Sequence, residues 1–182
     1  MARLAYKGFQ KELKCLGYQF RMGKNVTAEA NCHHNGFHCA EDPLDCLSYY
    51  PNLHDSIYCL VLPGGDVDED DVDSKISCTE LTILKKLTEE EFFIHALAYM
   101  VDHPGRERNR LVKTDLGEAN DGYTVVCGQD PIARGKKGDI LALAKEDTTS
   151  GKIIQIAVAK VDGKKLKSGV WYDTDFQRRK AG

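Results

Sequence analysis

The stretch SIYCLVLPGGDVDEDDVDSKISCTELTIL, residues 56–84, contains the two clearest strand signals of the chain, one on each side of an acidic run. Ser56–Leu62 is rich in β-branched and aromatic residues, and Pro63–Gly65 follows it, which predicts a strand that ends at a turn. Ile76–Leu84 predicts a second strand. Two strands joined by a short polar segment indicate that a sheet organises this part of the protein.

Two helices are predicted outside this stretch. Thr88–His103 begins with a capping box formed by Thr88 and Glu91, and its apolar residues recur with helical spacing. A shorter helix is predicted to begin at Pro43, with Asp42 as its N-cap, because proline loses no needed hydrogen bond at the first helical position. The chain therefore combines helices and strands.

The second half of the chain reads mainly as short strands. They are predicted as a β meander over Tyr123–Cys127, Ile140–Ala144, Ile153–Val161 and Val170–Tyr172. The predicted fold class is α+β: a mixed α/β lobe over residues 1–104, a polar connector over 105–120 and a β-rich lobe over 121–182.

Charge and cysteine content limit the location and the partners. The net charge of −3 is uneven, since residues 1–100 carry a net charge of −7 and residues 101–182 a net charge of +4. No apolar run approaches the roughly 20 residues of a membrane helix, and the N-terminus lacks the apolar core of a secretory signal. Seven cysteines, an odd number, then indicate free thiols in a reducing compartment. We expect a cytoplasmic protein that has no membrane partner.

The acidic run carries six carboxylates within eight positions. They are Asp66, Asp68, Glu69, Asp70, Asp71 and Asp73. The run does not match a calcium loop, because Asp71 stands where that loop needs glycine and Ser77 where it needs glutamate. Two interpretations stay open: a solvated surface loop, or a partner-binding surface that imitates the charge of a phosphate backbone.

A cluster of cysteine and histidine offers a zinc alternative. Its ligands would be Cys32, His34, His38 and Cys39. The spacing differs from a paired zinc knuckle, so a loop with solvated histidines and buried thiols is the favoured interpretation. Neither a metal nor a cofactor is predicted, and the chain has none of the common motifs of nucleophilic catalysis or nucleotide binding.

Several short segments resemble a protein family carried by phages and prophages of Gram-positive bacteria. They are Tyr6–Phe9, Ala30–Cys32, Gly36–Cys39, Pro43–Asp45, Tyr49–Pro51, Val161–Gly163 and Trp171–Tyr172. The chain also resembles type II-A anti-CRISPR proteins, which inhibit Cas9. This resemblance implies a protein that binds guide-loaded Cas9 through the acidic run and blocks target DNA binding or cleavage, without catalysis of its own and with at most indirect nucleic-acid contact. A free sheet edge in the β-rich lobe makes a homodimer a further expectation.

A second, partial resemblance is to the ADP-ribosyltransferase core. The order of Tyr6, Tyr49 and Glu80 is similar to that of the catalytic residues of this family, with Glu80 as the catalytic carboxylate. That family places histidine or arginine after its first aromatic residue, where this chain has Lys7, which lacks the imidazole and the planar fork. The alternative function is therefore an ADP-ribosyltransferase-like enzyme that modifies a host protein.

Overall fold

A computed structural model describes residues 3–28, 35–69 and 74–180. The chain divides into two compact units, Met1–Thr88 and Glu89–Gly182. This division differs from the predicted lobe boundary at residue 104, because the long helix belongs to the second unit. Its buried face, which includes Phe93 and Leu97, packs against strands of that unit.

Strands dominate the first unit. They are β1 (Ala5–Gln10), β2 (Lys14–Cys15), β3 (Tyr18–Gln19), β4 (Gly23–Val26), β5 (Phe37–Ala40), β6 (Ser56–Glu69) and β7 (Lys75–Lys86). All pairings in this sheet are antiparallel. β1 pairs with β5, β5 with β7, β7 with β6 and β6 with β1, so these four strands form a closed ring, here called the strand ring. The two strongest strand predictions, β6 and β7, are confirmed as its longest members.

The core of the first unit lies among these strands. On β1, Ala5, Lys7 and Phe9 are buried at alternate positions, which is the period of a strand with one face toward a core. Rings of three phenylalanines meet there: the Phe9 and Phe20 centroids are 5.1 Å apart and the Phe20 and Phe37 centroids 4.8 Å. Lys7 is the one charged residue in this β1 series.

β6 continues past the predicted turn. Pro63 and Gly64 are part of the strand and pair with Leu81 and Glu80 of β7. A proline fits there because β1 pairs with β6 only as far as Val61. Beyond Val61, that side of β6 makes no ladder hydrogen bonds with β1, so the amide proton that proline lacks is not needed. Gly65, at φ +69°, lies in a register shift of the β6–β7 pairing and absorbs the local bend. The first four positions of the acidic run, which carry three of its carboxylates, are therefore strand rather than loop.

The helix predicted at Pro43 is present but begins tightly. A 3-10 turn over Pro43–Asp45 leads into α1 (Cys46–Tyr49). The Asp42 carboxylate accepts a hydrogen bond from the Leu44 amide at 2.9 Å, as expected of an N-cap. The second helix is confirmed as α2 (Glu89–Asp102). No helix in the described parts of the chain has the length and hydropathy needed to cross a membrane.

The second unit corrects two predictions. Its strands are β8 (Val112–Glu118), β9 (Tyr123–Arg134), β10 (Ile140–Glu146), β11 (Ile153–Lys160), β12 (Trp171–Tyr172) and β13 (Arg178–Arg179). The predicted connector over 105–120 thus contains β8. The tail is also not a meander, because β9 pairs in parallel with both β8 and β10, whereas a meander joins consecutive strands antiparallel. The coarse class, α+β with strands in the majority, is confirmed.

Six cysteines lie in the described residues, and all are free thiols. Five of them are buried, and Cys15 is half-buried. Burial raises the pKa of the Cys46 thiol to about 12 and that of the Cys59 and Cys127 thiols to about 11. These three thiols are therefore neutral packing groups near neutral pH.

Candidate functional site

The acidic hairpin, defined as residues 66–73 from the end of β6 to the residues before β7, is one of two candidate sites in the first unit. Asp66, Asp68 and Glu69 are exposed on β6. Asp70, Asp71 and Asp73 lie outside the described residues. The three described carboxylates of the predicted partner-binding set therefore lie on an exposed strand.

Backbone pairing with β7 holds this acidic strand in place. Asp68 is opposite Ser77 and Glu69 is opposite Ile76. The Asp66 amide donates to the Thr79 hydroxyl at 2.8 Å. On the side-chain level, Arg3 Nη1 donates to Glu69 Oε1 at 2.9 Å, so one carboxylate of the set is already paired.

The second candidate is a cavity of about 390 Å³, here called the Lys7 pocket. It is lined by Lys7, Gly8, Gln10, Cys15, Leu16, His38, Cys39, Ala40, Asp45, Cys46, Tyr49, Tyr50 and Lys75. β1, β5 and α1 supply most of this wall. β1 and β5 pair only at Tyr6 and Ala40. Beyond that pair, the two strands leave space for the cavity.

Lys7 is buried in the wall, with 5% of its surface exposed. Its ammonium donates to the His38 carbonyl at 2.8 Å and lies 3.6 Å from Cys15 Sγ. The rings of Phe9 and Phe20 lie 5.2 and 5.5 Å from Nζ, within the range of cation–π attraction. No carboxylate among the described residues forms an ion pair with this lysine; the partners that they supply are a carbonyl, a thiol and two aromatic rings.

Tyr50 forms the adjoining wall. Its hydroxyl donates to Cys15 Sγ at 2.9 Å, and its carbonyl accepts a hydrogen bond from the Tyr58 hydroxyl at 2.5 Å. Burial raises the pKa of the Tyr50 hydroxyl well above its usual value, so the phenol stays protonated. Its ring packs over Gly8, where a Cβ atom would lie 2.5 Å from Tyr50 Cδ2. Glycine at position 8 is therefore what lets the ring approach β1.

Two further charged groups stand at the pocket. The Asp45 carboxylate accepts hydrogen bonds from the Ser74 amide at 3.2 Å and the Ser74 hydroxyl at 2.5 Å. Lys75 Nζ lies 6.0 Å from the ring centroid of Tyr49, which is 61% exposed. The described wall thus carries two lysines against one carboxylate, and that carboxylate is already hydrogen-bonded.

The residues of the ADP-ribosyltransferase alternative are only partly brought together. Tyr49 lines the Lys7 pocket, but Tyr6 and Glu80 are not among the described residues that line it. Glu80 instead pairs with Lys24 across β4 and β7, with Oε1 and Nζ 2.8 Å apart. Desolvation raises the pKa of the half-buried Tyr6 hydroxyl.

The zinc alternative is not assembled by the described residues. Cys32 and His34 lie outside them. His38 and Cys39 are successive residues of β5, so their side chains point to opposite faces, and Cys39 belongs to the buried core. No group of three metal-ligating side chains occurs within the ranges that the structure describes.

Sequence reasoning noted Lys7 only as a departure from a family pattern and missed the pocket. A signal was present, because Lys7 falls between Ala5 and Phe9 at an inward position of a strand. Lysine is rarely buried without a partner, so an inward lysine marks a site that has to be explained. The cavity beside it depends on β5 and α1, which begin thirty and thirty-nine residues further along the chain.

Comparison with known proteins identifies this part of the chain. No curated protein and no solved structure shows a significant match. A family model described as a domain of unknown function, DUF7666, matches residues 3–95. This range contains the acidic hairpin, the Lys7 pocket and the whole strand ring. The chain belongs to the DUF7666 family.

Proposed function

We propose that the protein is a non-catalytic inhibitor that presents its acidic hairpin to the basic nucleic-acid channel of a guide-loaded Cas9. The observation that carries this proposal is the position of Asp66, Asp68 and Glu69 on a paired strand rather than on a loop. Charges already ordered before binding lose less conformational entropy in a complex. The expected phage origin and cytoplasmic location belong to the same proposal.

The chemistry of the partner supports this choice. Cas9 reads its adjacent motif with arginines and holds the displaced strand on a positively charged surface. Exposed carboxylates would be attracted to such a surface over about 10 Å at 0.1 M salt. Charges at a rim mainly raise the association rate, so an apolar anchor is also needed. Tyr49, 61% exposed, is such an anchor on the same unit.

A charge reversal tests the hairpin. In the variant Asp68→Lys/Asp70→Lys, the affinity for guide-loaded Cas9 should fall at least about tenfold, or 1.4 kcal/mol. The thermal unfolding temperature should stay near that of the wild type. Biolayer interferometry with Cas9, with and without guide RNA, measures the affinity, and a DNA cleavage assay measures inhibition.

The matched control is Asp102→Lys/Glu107→Lys, which makes the same charge change at two exposed positions of the second unit. It should inhibit like the wild type. If both double variants lose inhibition equally, overall charge rather than the hairpin is responsible. If the folded hairpin variant still inhibits, the acidic hairpin is not the contact.

The ADP-ribosyltransferase-like enzyme is a second candidate. It is favoured by the position of Tyr49 in the wall of a cavity, and it is disfavoured by Lys7 in place of histidine or arginine and by the pairing of Glu80 with Lys24. An intact-mass measurement on a host protein incubated with the chain and NAD tests it. A gain of one ADP-ribose that disappears with Glu80→Gln would establish the enzyme, and an unchanged mass would remove it.

The homodimer remains part of the proposal. β11 is the last strand of its sheet order, and Ile154 on it is 62% exposed. An open strand edge with an apolar side chain is a surface on which a second copy can pair. Light scattering of the purified chain tests the dimer, and Ile154→Lys should return it to a monomer.

A further inference from the structure

We propose that the Lys7 pocket is the binding site of a small organic monoanion, a carboxylate with an aromatic or aliphatic body. The carboxylate would pair with the Lys7 ammonium, and the body would lie against the apolar wall of the cavity. This proposal is independent of the acidic hairpin and of Cas9.

The charge of Lys7 is the first argument. An ammonium that is withdrawn from water carries a large desolvation penalty unless an opposite charge or several acceptors surround it. Lys7 Nζ has one carbonyl acceptor, one thiol contact and two aromatic rings, and it has no ion-pair partner among the described residues. With three protons and two polar contacts, the ammonium keeps a donor for an anion in the cavity.

The wall of the pocket is the second argument. Leu16, Ala40, Tyr49 and Tyr50 present mostly carbon to the cavity, and Cys46 keeps a neutral thiol. A volume of about 390 Å³ lies within the range of pockets that hold small molecules, near its lower end. Such a wall favours an apolar body over a sugar or a second charged group.

The net charge of the wall selects a monoanion. Lys7 and Lys75 supply two positive charges, and Asp45 supplies one negative charge that is held by Ser74. The balance is one positive charge, which a carboxylate neutralises and a pyrophosphate exceeds. The described wall also contains no arginine fork and no glycine-rich phosphate loop. This pocket is therefore built for a smaller ligand than NAD.

Cys15 supplies a reporter for occupancy. It lines the pocket beside Lys7 and Tyr50, and it is half-buried whereas the other described cysteines are buried. A ligand in the pocket would cover its thiol. Alkylation of Cys15 by N-ethylmaleimide, located by peptide mass spectrometry, should slow when the pocket is filled.

The experiment compares a carboxylate with its uncharged analogue on the full-length protein. 4-Phenylbutyrate should bind with a dissociation constant of about 1 mM or below in calorimetry, and 4-phenylbutyramide should bind at least about tenfold more weakly. The carboxylate should also protect Cys15 from alkylation. Because both ligands meet the same wild-type chain, this comparison does not depend on the folding of a variant.

Lys7→Met then tests the residue. Methionine keeps the length and the unbranched stem of lysine, so the variant should fold and lose the tenfold preference for the carboxylate. Lys86→Met, at an exposed lysine of β7 that is not among the residues lining the pocket, should keep it. Equal affinity for acid and amide, no binding of the acid, or an unchanged preference in folded Lys7→Met would each overturn the proposal. Protection of Cys15 by NAD but not by the carboxylate would overturn it in favour of the enzyme.

Discussion

The acidic hairpin and the Lys7 pocket belong to the same unit and use charge in opposite ways. Asp66, Asp68 and Glu69 of the hairpin are exposed to water, where two charges 4 Å apart interact by only about 1 kcal/mol. Lys7 is 95% withdrawn from solvent, so each partner that it gains or loses has a larger effect. Exposed charge therefore suits long-range steering of a protein partner, and buried charge suits selection of one small ligand.

The largest expected effect comes from a substitution in the wall of the Lys7 pocket. Gly8→Ala would place a Cβ atom 2.5 Å from the Tyr50 ring, which is held by the Tyr58 and Cys15 hydrogen bonds. We expect a loss of about 2 kcal/mol in the free energy of unfolding, measured by urea titration.

The matched control for this change is Gly105→Ala, where a Cβ atom meets nothing within 4 Å. It should change the free energy of unfolding by less than about 0.5 kcal/mol. Equal effects at the two glycines would mean that Tyr50 does not pack against β1 as the structure has it.

A smaller effect is the pH dependence of stability, which sharpens the contrast between buried and exposed groups. Burial raises the pKa of Cys46 from 9.0 to about 12, so the folded state keeps a proton that the unfolded state releases. This contribution is complete below pH 9 and is lost as the pH rises toward 12. Between pH 8 and 10, the loss of this contribution should lower the free energy of unfolding by about 1.4 kcal/mol.

Cys46→Ala identifies the source of that loss. Since the variant has no thiol at this position, its free energy of unfolding should fall by about 1.4 kcal/mol less than that of the wild type between pH 8 and 10. Urea titrations at several pH values measure both slopes. Parallel curves would show that the Cys46 thiol is not withdrawn from water.

The smallest effect belongs to the hairpin. Glu69→Gln removes the exposed pair of Glu69 with Arg3 and leaves the pair of Arg3 with Glu41 in place, and surface pairs of this kind contribute about 0–1 kcal/mol. We expect a change in unfolding free energy of under about 1 kcal/mol, together with slightly weaker binding to a basic partner because one carboxylate is lost. A large destabilisation would show that the hairpin is a structural element rather than a binding surface.

Much of the local structure was predictable because its signals are local. The alternating apolar residues of Ile76–Leu84, the Asp42 cap and the amphipathic pattern of Thr88–His103 each act within a few residues, and each element was found. Asp66, Asp68 and Glu69 were likewise expected at the surface, because such a density of carboxylates cannot be buried.

Other features depend on neighbours far along the chain. Pro63 ends a strand by local rules, yet β6 runs through it because β1 leaves that side open. β8 and β10 pair with β9 in parallel, which no turn signal encodes. The Lys7 pocket likewise requires β1, β5 and α1 to meet, and the loops that bring them together have no residue pattern of their own.

By itself, the sequence determined the composition of the protein, the sites of its main strands and helices, and the surface position of Asp66, Asp68 and Glu69, since these follow from propensity, period and solvation. Only the tertiary structure decided which strands close into the ring, in which unit α2 packs and where Lys7 is buried. The reason is that strand pairing and burial depend on contacts between residues far apart in the sequence. The free energy of such a contact cannot be read from one segment.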